Sequence, residues 1–159
     1  MIEIHERFDV PAAPDQVWAV LSDPHAVVGC VPGASIVGQD DDGSLDTSVV
    51  VKFGPTRVTF RARANLELDP AARQGRVTAR GKDTIGGTRM QSTARFGVTP
   101  GPGARGSSVA IDGTVEVSGR MASLIEGGAG VVVRRMSGEF AERLAARCSS
   151  SLGNCQSPG

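Results

Sequence analysis

Residues 121–147, MASLIEGGAGVVVRRMSGEFAERLAAR, decide the fold. Ala122, Ile125, Ala129, Val132, Met136, Phe140 and Leu144 recur at spacings of three and four, which on a helix of 3.6 residues per turn places them along one side. The spacing predicts one long amphipathic helix. Gly127, Gly128 and Gly130 interrupt its first half, each costing about 1 kcal/mol relative to alanine. They read as close packing, as a break into two helices, or as a flexible lid over a cavity, and the sequence leaves all three open.

A helix with one apolar side needs a surface to lie on, and the chain before it supplies strands. In residues 2–10, Ile2, Ile4, Glu6, Phe8 and Val10 share a side, with Glu6 breaking the apolar alternation. Pro14 and Asp15 then open a short helix whose buried face is Val17, Trp18 and Leu21, and Asp23-Pro24 opens a second that ends near Pro32-Gly33. From Ala34 the period changes to two, predicting strands near 34–39, 44–53, 57–68, 75–82, 88–99 and 107–118. Turn signals at Asp41-Asp42-Gly43, Gly54-Pro55, Asp69-Pro70, Gly86-Gly87 and Pro100-Gly101-Pro102-Gly103 separate them. The order is one strand, two short helices, six strands and a long helix: an α+β chain with a seven-stranded curved antiparallel sheet around its C-terminal helix. Residues 1–147 read as one domain. Residues 148–159 are too polar to pack and read as a disordered tail.

The side chains pointing inward carry the functional reading. Alternation turns Val58, Phe60, Ala62, Ala64, Leu66 and Leu68 to one side, and with them Val77, Ala79 and Gly81. Met90, Ser92, Ala94, Phe96 and Val98 follow on the next strand, then Val109, Ile111, Gly113, Val115 and Val117. Bulk sits near the strand ends, and alanine, glycine and serine sit in the middle. A sheet packed solidly against a helix would carry large side chains there, because interiors fill to crystal-like density. The pattern favours an unfilled space over a gap filled by Val131, Val132 and Met136 of the helix. Opposite sides of the same strands carry Arg57, Arg61, Arg63, Arg76, Arg80, Lys82 and Arg95, a basic stripe that reads first as a solvated face and second as a docking surface.

The 17 Lys and Arg balance 17 Asp and Glu, so no global charge points to nucleic acid, and no aromatic residues interleave with the arginines for base stacking. The first ten residues show no basic stretch followed by an apolar run, and no segment reaches the ~20 apolar residues of a membrane span. A cytoplasmic protein is expected. Cys30, Cys148 and Cys155 lack metal-ligand spacing and read as free thiols. Neither His5 nor His25 belongs to a zinc pattern, nothing marks a nucleophile with its base, and the inward polar groups are chiefly Thr47 and Ser92. No catalytic residue, metal or cofactor is expected, and the inner surface suits an apolar molecule better than acid–base work.

With these elements in order, the chain resembles the START or Bet v1-like helix-grip superfamily and, more narrowly, the family named for the G subunit of carbon monoxide dehydrogenase. The resemblance lies in Phe8-Asp9-Val10-Pro11-Ala12 leading to Val17-Trp18 and Leu21, and in Asp23-Pro24 running to Cys30-Val31-Pro32-Gly33-Ala34. It continues in Val51-Lys52-Phe53-Gly54-Pro55, Ala79-Arg80-Gly81-Lys82-Asp83 and Val117-Ser118-Gly119-Arg120-Met121-Ala122, and spans roughly residues 2–147. It implies a cavity for a quinone or another lipid. It further implies an accessory role beside a molybdenum-containing hydroxylase and peripheral contact with the inner face of the membrane. Alternate turns of a meander share an end, so Phe53, Ile85 and Met121 are expected at a mouth facing Ile125, Gly128 and Val132 of the helix. The expected ligand-binding set is completed by Phe60, Ala62, Ala64, Ala79, Gly81, Met90, Ser92, Ala94, Phe96, Ile111, Gly113 and Val115. A cyclase or hydratase of the same superfamily, and an adaptor docking through the basic face, are the alternatives.

Overall fold

The computed structural model describes residues 1–101 and 106–156, with side chains described as far as Cys148. Strands β1 (Ile2–Val10), β2 (Ala34–Gln39), β3 (Leu45–Phe53), β4 (Thr56–Asp69), β5 (Gln74–Asp83), β6 (Thr88–Pro100) and β7 (Ser107–Gly119) form one sheet. Helices α1 (Pro14–Leu21) and α2 (Pro24–Cys30) follow β1, and α3 (Ala122–Gln156) closes the chain. The sheet order is β1-β7-β6-β5-β4-β3-β2, antiparallel throughout, so β2 to β7 form a meander and β1 closes on β7. This is the expected helix-grip arrangement. Part of the turn read at residues 100–103 lies outside the described residues.

Local chemistry sets the helix starts. Each short helix begins on a proline, whose missing N–H is not needed in the first turn. Asp23 caps α2 by accepting from the His25 and Ala26 N–H groups at 3.0 and 3.4 Å. Both helices lie under one end of α3, and there the larger cluster of the core forms. Val10, Val17, Leu21, Cys30, Val109, Leu144 and Cys148 are fully or almost fully buried in it. Phe8 meets Phe140 edge to face with ring centroids 6.0 Å apart, and Trp18 lies 6.1 Å from Phe96.

The helix does not end where its polar sequence predicts. It continues through Gln156, which corrects the disordered tail expected from 148, while 157–159 lie outside the described residues. Cys148 accounts for the first added turn. It stands one turn beyond Leu144, is 1% exposed and packs in the same cluster as Cys30. A small thiol behaves as a hydrophobe when buried, so it extends the apolar side by a turn. Burial pushes both thiols above their ordinary range, so they stay protonated and unreactive. The side chain of Cys155, the third expected thiol, lies outside those described. The three glycines of the first half leave the helix unbroken, which removes the two-helix reading.

On the outer side of the edge strand β1, His5 Nδ1 lies 2.9 Å from Asp112 Oδ1 on β7, its direct cross-strand partner, and Arg7 donates to the same carboxylate at 3.1 and 3.2 Å. The Asp112 hydrogen bond holds the imidazole pKa above its ordinary value, and the bond from His5, followed by that from Arg7, holds the Asp112 carboxyl below its own. The raised group favours the fold at low pH and loses that contribution as pH rises through its folded pKa; the depressed carboxyl behaves in the opposite sense. Proton NMR titration is expected to find His5 above the ordinary histidine value of about 6.5 and Asp112→Asn to lower it. A His5 pKa unmoved by that substitution would mean the pair does not form in solution.

Candidate functional site

Strand register turns the alternation pattern into a map of the concave face. One row runs Leu45–Ala64–Ala79–Ser92–Val115–Ile2 across six strands. The next runs Thr47–Ala62–Gly81–Met90–Val117. A third joins Leu66, Val77, Ala94, Gly113 and Ile4. In the first and third rows the largest side chains stand at the ends and the smallest between them, whereas in the second Met90 on β6 interrupts the small residues. Among the sheet strands, α3 lies closest to β1, β3 and β7 and bridges the middle of the sheet without settling on it.

The core is accordingly divided. A second buried cluster, separate from the one at α1 and α2, unites Phe53, Val58, Phe60, Ile125 and Val132, with Met90, Val117, Met121 and Met136 packed against it. Phe96 and Ile111 pack instead on the larger cluster. Ala62, Ala64, Ala79, Gly81, Ser92, Ala94, Gly113 and Val115 belong to neither. Thr47 is buried and spends its hydroxyl on the Ala62 carbonyl at 3.0 Å, so it is held rather than available.

Two of these small residues have a second reason to be small. A Cβ on Gly81 would stand 2.8 Å from the Ala62 Cα, and one on Gly113 would stand 2.6 Å from the Thr93 carbonyl oxygen and 3.0 Å from the Ala94 Cα. Neighbouring strand backbones approach too closely there for any other residue. The glycines thus serve the bend of the sheet, where the sequence pattern alone reads free space. Gly128 permits a different approach, with its Cβ position 3.1 Å from the Phe53 ring.

The β5–β6 turn, one of those expected at a mouth, meets the start of α3. Arg120 N–H donates to the Gly87 carbonyl at 2.8 Å and Met121 N–H to Thr88 Oγ1 at 3.1 Å, joining the β5–β6 turn to the start of α3. Buried Asp83 accepts from the Gly86 N–H, and Gly86 and Gly87 take φ of 95° and 96°, so the turn is pinned from below. Ile85 stands at its tip, 88% exposed, apart from Phe53, Gly128 and Val132 and facing solvent. Phe53 and Gly54 at the end of β3 and Leu124, Gly127, Gly128, Val131 and Val132 of α3 enclose a hollow of ≈ 520 Å³. Lys52 and Arg135 complete its rim, where Arg135 Nη2 donates to the Lys52 carbonyl at 2.9 Å and ties helix to sheet.

Glu6 is not among the expected site residues, although its broken alternation is the available signal. It lies on the inner side of β1 between Ile4 and Phe8, opposite Ile111, and is half-buried. Its carboxylate makes no hydrogen bond or ion pair among the described residues. The histidines stand elsewhere, His5 on the outer side and His25 exposed on α2. No group of three or more His, Cys, Asp or Glu among the described residues could hold a metal.

A sequence model of the CoxG family, the G subunit of carbon monoxide dehydrogenase, matches residues 7–149. The chain belongs to this family. No curated protein sequence matches it. Solved structures similar to this CoxG-family chain include a conserved protein from Geobacillus kaustophilus, at 14% identity over 94% of this chain and 97% of that one, with a TM-score of 0.78. The Zhui aromatase/cyclase from Streptomyces sp. R1128 matches at 16% identity over 95% of each chain, with a TM-score of 0.66. A START superfamily protein from Mycobacterium smegmatis matches at 18% identity over 93% and 97%, with a TM-score of 0.57. These likenesses establish the START-like helix-grip fold.

Ala79 and Ser92 are cross-strand partners in the band between the two clusters. If the space above them is open, Ala79→Leu and Ser92→Leu will each change stability in urea by less than about 1 kcal/mol, or raise it. A filled interior would instead lose about 1–3 kcal/mol to overpacking at both positions.

Proposed function

We propose that this CoxG-family protein is a non-enzymatic carrier that holds an apolar small molecule of the quinone or lipid class between its sheet and α3. The observation that carries this reading is the divided core: two apolar clusters with a band of small side chains between them, roofed by a helix seated on the flanks. Apolar walls with few polar groups are what ligand cavities of this kind require. The hollow between Phe53 and the glycines of α3 supplies the opening, at the end where the sheet meets the looser half of the helix.

Finer parts of the proposal rest on the family and on this opening. The family's name ties it to carbon monoxide dehydrogenase, and we place the protein beside such a molybdenum-containing hydroxylase as an accessory in the cytoplasm. Exposed Leu124 and Val131 line the opening with Lys52 and Arg135, and exposed Ile85 stands on the β5–β6 turn that Arg120 joins to α3. Apolar tips with neighbouring cations suit transient contact with an anionic membrane surface, from which a lipid-soluble cargo would be taken. No helix among the described residues is long and apolar enough to cross a membrane.

Glu6 favours a second reading, an enzyme of the cyclase type, because it places an ionisable group on the inner side. Acid–base catalysis on a polyketide or aromatic needs a partner that accepts or returns the proton. The other buried carboxylate on the inner side, Asp83 opposite Phe60, is engaged by the Gly86 N–H and holds a turn, which keeps the carrier reading ahead.

Displacement of a bound naphthalene-sulfonate dye by a decyl-chain ubiquinone analogue tests the opening. Gly127 has open space around its Cβ position and lines the hollow, so Gly127→Phe is expected to leave helicity intact and weaken uptake at least tenfold. Ile85→Asp should spare uptake from solution and slow uptake from phosphatidylglycerol vesicles. Wild-type uptake by Gly127→Phe would place the entrance elsewhere, and turnover of an aromatic polyketide abolished by Glu6→Gln would establish the enzyme instead.

A further inference from the structure

The convex face carries a second pattern, independent of the cavity. Strand register sets Lys82 directly opposite Arg61 on one side and Arg89 on the other, giving three adjacent cations across β4, β5 and β6. The neighbouring row sets Arg63 opposite Arg80, another pairs Lys52 with Arg57, and a further one pairs Arg76 with Arg95. Like charges directly opposite one another destabilise a sheet. Acidic side chains pair with cations at the margins: Asp40 and Asp46 with Arg63, Glu67 with Arg76, Asp112 with Arg7. Among the described residues, Arg57, Arg61, Arg80, Lys82 and Arg89 are exposed and make no ion pair. A chain of zero formal net charge thus concentrates unpaired positive charge in one strip.

We propose that this strip of β4 to β6 is a docking surface for an acidic protein partner, beyond and apart from any cargo in the cavity. Its other exposed positions are largely polar, among them Gln91 of β6 and Ser118 of β7, with the acidic Glu116 of β7 and the exposed Met1 at its margin. It therefore offers no more than one marginal methionine to a bilayer and no aromatic ring to stack on a base. Two hollows indent it, of ≈ 660 Å³ beside Arg80, Arg89 and Gln91, with Met1 and Glu116 on its far side, and of ≈ 420 Å³ beside Arg63, Arg80 and Gln91 with no acidic residue in its lining. Indentations lined by guanidinium groups receive protruding carboxylate side chains, which a partner rich in Asp and Glu supplies and a flat headgroup plane does not. Docking of this kind steers encounter and weakens with salt.

Fluorescence anisotropy with labelled poly-L-glutamate tests the strip, beside phosphatidylglycerol vesicles and a single-stranded oligonucleotide as competing probes. Poly-L-glutamate is expected to bind at 20 mM salt and to lose about tenfold in affinity by 200 mM. The triple variant Arg61→Gln, Lys82→Gln, Arg89→Gln should bind at least tenfold more weakly, while Arg73→Gln, whose cation is paired with Asp15, should bind normally. Removing cations that repel one another should leave the triple variant's Tm at low salt equal to or above that of the wild type, which also shows that it folds. Undiminished polyglutamate binding by the triple variant, no polyglutamate binding at all, tighter binding to vesicles or oligonucleotide, or a lowered Tm would each overturn the proposal.

Discussion

The bend of the sheet is the constraint on which the rest depends. At Gly81 of β5 and Gly113 of β7 neighbouring backbones come so close that a Cβ would stand within 3.0 Å of main-chain atoms, and both glycines face the concave side. A sheet curved in this way presents its flanks to a helix before its centre. Helix α3 accordingly seats against β1, β3 and β7, anchored at one end by Leu144 and Cys148 and at the other by Ile125 and Val132. Curvature, the two anchors and the thinly covered band between them are one arrangement seen from three sides.

The same arrangement separates tasks along the helix. Its C-terminal half is held by the two short helices, where burial is deepest and Leu144 is fully enclosed. Its glycine-bearing half meets the sheet through Phe53 and the Arg135 bond to the Lys52 carbonyl, with a hollow left between. Local opening begins where few apolar side chains are buried. A cargo entering between Phe53 and Gly127 would therefore disturb the less tightly packed end and leave the anchored end in place.

Much of this is legible in residue order because two periods, 3.6 and 2, act on different stretches and a one-residue slip would turn every inner side chain outward. The rows through Ala64, Ala79 and Ser92 are readable from alternation for that reason. Alternation cannot show that Gly81 and Gly113 answer to backbone crowding, since that contact joins residues distant in sequence. Cys148 escapes because its neighbours are polar and its partner Cys30 is far away in the chain. The apolar character of Ile85 draws it to the mouth, yet a two-glycine turn pinned by Asp83 holds it out to solvent. Glu6 announces itself by breaking a pattern, and its meaning needs the register with Ile111. Arg89 joins the basic strip only once β6 is paired with β5.

The central claim is that the divided core accommodates a removable apolar molecule. Native mass spectrometry of the protein purified gently from its own host, with solvent extraction of whatever travels with it, tests this most directly. A bound mass that extraction releases and identifies as a quinone or lipid is the expected result. A bare chain that also takes up no quinone or fatty acid offered in excess would contradict the claim.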